Sequence, residues 1–215
     1  MTNEEIVDEL TKTTAALVPV PVVPVKDLKE LYHQLVLSQL TAENLEELDF
    51  TGKAEDFKAV LFADDYKAVI KGKGYADYLK LVLDKFKPAK TGPYKKFAQI
   101  AYRSAKYLMG YPSLDSYKKH VTSGLRSGDD HGLSYLDSFR HESSLSGMFL
   151  VRTCRFFQQS GLGDVPVPDS AAKAYLMPRL TLPDDNGKIY LALYQLAKAG
   201  HCSCAELDQR IQAFH

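Results

Sequence analysis

The chain has no run of apolar residues long enough to cross a bilayer and no low-complexity tract, which sets aside membrane-spanning and fibrous classes. Cys154, Cys202 and Cys204 are its only cysteines, and the last two stand too close to pair without strain, so no disulfide framework is implied. The patterns Gly-x-Ser-x-Gly, Gly-x-Gly-x-x-Gly and Gly-x-x-x-x-Gly-Lys-Ser/Thr do not occur, which removes the motif support for serine hydrolase, dinucleotide and P-loop chemistry. The opening MTNEEIVDEL lacks the basic and apolar regions of a secretory signal. A soluble, intracellular, cytoplasmic protein without a membrane partner is the expectation. His201, Cys202 and Cys204 offer three metal-ligand types, but in incomplete zinc spacing. They read as a surface turn, and neither metal nor cofactor is expected.

Charge is balanced overall and uneven along the chain. Residues 1–65 carry 5 Lys against 14 Asp or Glu, whereas residues 66–126 carry 14 Lys or Arg against 3 acids. A basic middle third can present a positive face to a polyanion, because local potential rather than net charge steers a ligand. The alternative is that the acidic first third folds over the basic segment and neutralises it. The same segment holds 8 of the 13 tyrosines. Ammonium groups beside aromatic rings suit a nucleic acid, with phosphates on the cations and bases on the rings. Lys90, Lys95, Lys96, Arg103 and Lys106 are the expected phosphate contacts, and Tyr94 the expected stacking side chain. Helical spacing of Tyr78, Val82 and Phe86, and of Phe97, Ala101 and Leu108, marks other apolar residues of the segment as core.

Helix signals occupy nearly the whole chain, and the fold class read from them is all-α. Thr2 with Glu5, and Ser203 with Glu206, make capping boxes. Asp27 caps a helix whose Leu28, Leu31 and Leu35 keep the helical period. Glycines and prolines at 72, 74, 88, 92, 110 and 112 separate further segments, with Pro93 in a first turn and Gly110 as a left-handed C-cap. Expected helices run over 3–16, 28–39, 42–49, 54–62, 65–71, 75–87, 93–109, 114–124, 131–141, 148–159, 170–181, 187–199 and 204–214. Residues 18–24, VPVPVVP, cannot be helical, because each proline lacks a donor and extends its predecessor. The division expected is an N-terminal helix and proline-rich strap over 1–26, then one all-α domain over 27–215.

In LSGMFLVRTCRFFQQSGLGDVPVPDS, residues 145–170, a glycine turn leads into a helix, a second glycine turn ends it, and an extended Val-Pro-Val-Pro delivers Asp169. Leu145-Ser146-Gly147 followed 22 positions later by Pro168-Asp169 resembles the helix-hairpin-helix superfamily of DNA base-excision glycosylases, relatives of endonuclease III. The resemblance covers about residues 112–182. It implies two helical lobes carrying a helix-hairpin-helix element, a DNA partner and a nucleoid location. It makes Asp169 the catalytic carboxylate in cleaving the N-glycosidic bond of a flipped base, and places Ser146, Gly147, Phe149 and Arg152 against DNA. Phe149 stands where the family has a second glycine, and Val151 and Arg152 stand where its lyases have a lysine, so the activity implied is monofunctional. Asp169 is equally well placed as an N-cap. Two further readings are a relative with altered chemistry on modified bases, and a non-enzymatic module docking a protein through the acidic first helix and the strap.

Overall fold

The computed structural model describes residues 1–71, 74–125 and 130–214. Among them are thirteen helices and no strand, so the fold is all-α. In chain order the helices are α1 (Asn3–Thr13), α2 (Leu28–Ser38), α3 (Ala42–Glu47), α4 (Ala54–Val60), α5 (Tyr66–Ile70), α6 (Tyr75–Phe86), α7 (Gly92–Leu108), α8 (Leu114–Gly124), α9 (Asp130–Ser143), α10 (Leu150–Gln159), α11 (Ser170–Leu180), α12 (Asn186–Ala199) and α13 (Cys204–Phe214). Each helix expected from the sequence is present, with ends that move by at most three residues. The punctuating Gly72 lies outside the described residues.

The chain divides into two compact units, one of Met1–Pro24, Lys118–Phe139 and Phe149–His215, the other of Val25–Tyr117 and Arg140–Met148. This differs from an arm followed by a single domain, since residues 1–24 are built into the first unit.

In the first unit α1 starts at the expected capping box. Thr2 Oγ1 accepts from the Glu5 amide at 3.2 Å, and Glu5 Oε2 accepts from the Thr2 amide at 2.8 Å. Ile6 and Leu10, one turn apart, are buried with Tyr175, Leu176, Ile189, Leu193 and Leu207. Between them Glu9 accepts two bonds of 2.9 Å from the Arg179 guanidinium and one of 3.2 Å from the Tyr175 hydroxyl. The Arg179 bonds hold the Glu9 carboxyl below its usual range. The apolar face of α1 is covered by α12 and α13 of its own unit. α1 ends at Thr13, where the hydroxyls of Thr13 and Thr14 donate to the carbonyls of Glu9 and Leu10 and the prolines follow.

The strap is extended, as its prolines require. A single side chain holds its middle: the Val20 amide donates to Gln209 Oε1 at 2.7 Å, and Gln209 Nε2 donates to the Val20 carbonyl at 2.8 Å. The turn after α10 lies against the strap's end.

The second unit is organised on α7. Tyr94, Phe97, Ala98, Ala101, Ser104, Ala105 and Leu108 are buried along one side of it, at helical spacing. The small residues among them let α2 approach closely. The Tyr32 hydroxyl reaches the Ala101 carbonyl at 3.2 Å, and Gln39 Nε2 reaches Ser104 Oγ at 2.8 Å. Phe57 stacks on Phe50, with Phe86 and Phe97 also against it. Gly110 is not the left-handed cap expected. Positive φ among the described glycines occurs at Gly147 and Gly161, and α7 closes with the Met109 and Gly110 amides on the Ala105 and Tyr107 carbonyls. Those bonds satisfy the last turn without a left-handed residue.

Gly161 has φ +65°, and a Cβ there would stand 2.7 Å from Pro24 Cα in the strap. Both the left-handed backbone and the backbone contact oppose any side chain. Gly161→Ala is expected to cost about 2 kcal/mol and to lower Tm by about 4–8 °C, measured by thermal unfolding.

Candidate functional site

The segment Asp164–Asp169 leaves α10 extended, and its four central residues Val165, Pro166, Val167 and Pro168 are buried. A buried extended strand normally needs a neighbour to take its amides and carbonyls. Here the two prolines remove half of the donors. Side chains of the flanking helices supply partners for much of the rest. Gln158 Nε2 of α10 donates to the Val165 carbonyl at 3.0 Å, and the Val167 amide donates to Asp208 Oδ2 of α13 at 3.1 Å. Gln158 also donates to Asp208 Oδ2.

An aspartate ends the segment on each side, and each caps a helix. Asp164 accepts from the Cys204 and Ala205 amides at the start of α13. Asp169 Oδ1 accepts from the Ala171 and Ala172 amides at 3.1 Å, the N-cap geometry read from the sequence. Its Oδ2 accepts from Arg155 at 2.9 Å and from Gln212 Nε2 at 3.0 Å. The carboxylate lines a cavity of about 730 Å³, together with Asp208, Arg155, Gln158, Gln212 and the strap residue Val18.

Asp208 is the unusual group of this cavity. Its Oδ2 has two donors, while its Oδ1 has no hydrogen-bond partner and no contact with solvent. Burial pushes its pKa up to about 7, against the donors Gln158 and Val167, with the charges of Asp169 and Asp164 adding to the rise. The nearby thiols of Cys154 and Cys204 are also pushed up, chiefly by burial. The sequence reading missed Asp208. Its signal is a carboxylate beside the buried stripe of Cys204, Leu207 and Ile211, where an amphipathic helix of this size places apolar side chains.

The expected phosphate contacts fall on one helix. Lys95, Lys96, Arg103 and Lys106 are all exposed on the side of α7 opposite its buried face. None makes an ion pair among the described residues. Lys90 lines a cavity of about 460 Å³ with Lys53 and Lys87. One ion pair between the acidic and basic thirds is Lys85–Asp56 at 2.8 Å, and it leaves the α7 cations untouched. Tyr94 is corrected as a stacking side chain. It is 5% exposed, packed against Phe57 and Phe86, and its hydroxyl accepts from Lys53 Nζ at 3.1 Å. The helical period already placed Tyr94 one turn from Phe97 and Ala98, on the inner face.

The residues assigned to the hairpin lie in both units. Ser146 is exposed and Gly147 turns at φ 74° in the second unit. Phe149 is the N-cap residue of α10 and 61% exposed, and Arg152 is half-buried, both in the first unit. Among the described residues no three His, Cys, Asp or Glu side chains are grouped as a metal ion requires, and no helix is long and apolar enough to cross a membrane. Comparison with protein families, curated proteins and solved structures finds no match for this chain.

Two outcomes are expected. Asp169→Asn keeps the cap and changes stability little, whereas Asp169→Ala loses about 1–2 kcal/mol by denaturant unfolding, since it removes the cap and leaves Arg155 unpaired. Asp208 binds its proton more tightly in the folded state, with a pKa near 7 against 3.8. The stability it contributes is full below the unfolded value and is lost as pH rises through the folded one. Wild type is therefore expected to lose stability relative to Asp208→Asn as pH rises from about 4 to about 7 and to level off above that, by an amount on the order of a few kcal/mol, in paired melts from about pH 4 to about pH 8.

Proposed function

We propose that this protein binds nucleic acid through the outer face of α7. The observation that carries the reading is that Lys95, Lys96, Arg103 and Lys106 share this exposed face with no acidic partner among the described residues. From the first to the last is eleven residues, about 16 Å of helix, long enough to meet several phosphates of one duplex. Aromatic readout is weak there: Tyr94 is buried, and Tyr75 and Tyr102 pack edge to face on each other. The contact is therefore with the phosphate backbone and is indifferent to base sequence.

Affinity for a short duplex should fall steeply with salt, because each neutralised phosphate releases condensed counterions. Lys95→Ala with Lys96→Ala should weaken binding alike on unrelated sequences and flatten the logarithmic salt slope by about 2. Fluorescence anisotropy over a salt series measures both. Absence of binding even at low salt removes the proposal.

A second reading, base cleavage at Asp169, is favoured by one observation, that this cap carboxylate faces a cavity instead of open solvent. A carboxylate opposite a developing oxocarbenium charge gains its effect from that charge. Release of free base from a damaged-base panel by wild type and its loss in Asp169→Asn support it. Equal release by both proteins assigns Asp169 to the cap alone.

A further inference from the structure

The strap offers itself outward with a regular period. Each of Pro19, Pro21 and Pro24 has its φ fixed by its ring and pushes the residue before it to extended geometry, so every position from Val18 to Pro24 except Val22 is held in the polyproline II region. Such a helix has about three residues per turn, and positions three apart share an edge. Burial follows that period. Val18, Pro21 and Pro24 are exposed along one edge, Val20 and Val23 along a second, and Pro19 and Val22 are half-buried along the third. One edge of the strap is thus turned inward and two are presented.

Single exposed valines are ordinary on a protein surface, whereas a continuous apolar patch marks a contact. Val18, Val20 and Val23 are 82%, 71% and 71% exposed, and no residue from Thr13 to Val25 carries a charge. The strap is also raised, since it forms part of the lining of two cavities, of about 560 Å³ and about 730 Å³. Its backbone is held at Val20 by Gln209, and no other backbone group from Val18 to Pro24 is hydrogen-bonded among the described residues. The carbonyls on either side of Val20 are therefore open to donors from outside. A segment already fixed in its bound shape loses little entropy on docking.

The order of the residues selects the kind of partner. Val20-Pro21 and Val23-Pro24 are two Val-Pro pairs one turn apart, and Lys26 stands two positions after the second pair. A groove walled by aromatic rings accepts such pairs, one in each gap between rings. Lys26 is exposed and makes no ion pair among the described residues, and two residues of chain keep it within about 7 Å of Pro24. We infer that the strap is the docking ligand for a protein domain that reads polyproline II, with aromatic walls that take the two Val-Pro pairs and a carboxylate at one end of the groove for Lys26. The inward edge at Pro19 and Val22 stays on this protein while the two outward edges enter the groove, so docking leaves the Val20–Gln209 bonds in place.

An array of purified Src homology 3 domains, which have grooves of this chemistry, tests this when probed with the full chain over a salt series. Domains whose groove carries an acidic rim are expected to bind. Pro21→Ala should weaken that binding roughly tenfold or more and leave Tm unchanged, because it removes a pair and its preorganisation but not the Val20 pin. Lys26→Ala should flatten the dependence on salt. Lys95→Ala with Lys96→Ala should bind as wild type does, which keeps the result apart from the α7 reading. In wild type, the methyl resonances of Val20 and Val23 should shift as the domain is added, a readout that needs no variant to fold. Binding by no domain of the array overturns the inference, as does equal binding by Pro21→Ala. Self-association of the chain that Val23→Ser abolishes would assign the strap to a second copy and overturns it as well.

Discussion

A length of extended chain buried between helices has no sister strand, and the first unit is arranged around that difficulty. Val165–Pro168 lies inside with its polar groups intact wherever proline has not removed them. Gln158 and Asp208 stand in for the absent strand, one from each flanking helix. An unmade backbone bond in a dry interior is costly, and here it is avoided by bringing a carboxyl out of water to accept it. Asp208 is therefore where the strain of the arrangement collects. Its raised pKa follows from that burial. The caps follow from it as well, since Asp164 and Asp169 stand where the segment must hand over to helices.

The second unit solves a different problem with a single helix. α7 turns small residues toward α2 and aromatic ones toward Phe57. It cannot also bury lysines, so its cations are forced to the outside together. A positive face arises from the packing pattern itself, because one side of the helix is fully used and the acids of the segment are few. The phosphate-binding reading thus rests on the same helix that holds the unit together, seen from the other side.

Local signals carried most of the fold. The capping box at Thr2, the Ser203 hydroxyl cap on the Glu206 amide, the Asp27 cap and the first-turn Pro93 are settled within one turn of chain, and each is found where its residues place it. Helix ends moved at Thr13, where the Thr13 and Thr14 hydroxyls turn back on the last turn and prolines follow, and at Phe149 before α10. Gly110 illustrates the limit of a residue preference, since a tighter closing turn removed the need for a left-handed cap. The site was legible only in part. Asp169 and the α7 lysines announce themselves by position, but the partners of Asp169 lie 14 and 43 residues away. Gln209 meets a strap 189 residues distant. Such pairings are set by how helices pack, which no window of sequence contains.

The grip of Gln209 on Val20 has a discrete character. A side-chain amide that both donates to a carbonyl and accepts from the N–H of one residue treats that residue as a strand would. Pro19 and Pro21 on either side have no N–H to offer. A shift of the strap by one residue therefore loses half of the grip, and the nearest complete alternatives are Val18 and Val22, each about 6–7 Å along an extended chain. The alternation of proline and valine makes the strap a toothed rack: it can sit in one notch or jump two, but it cannot creep.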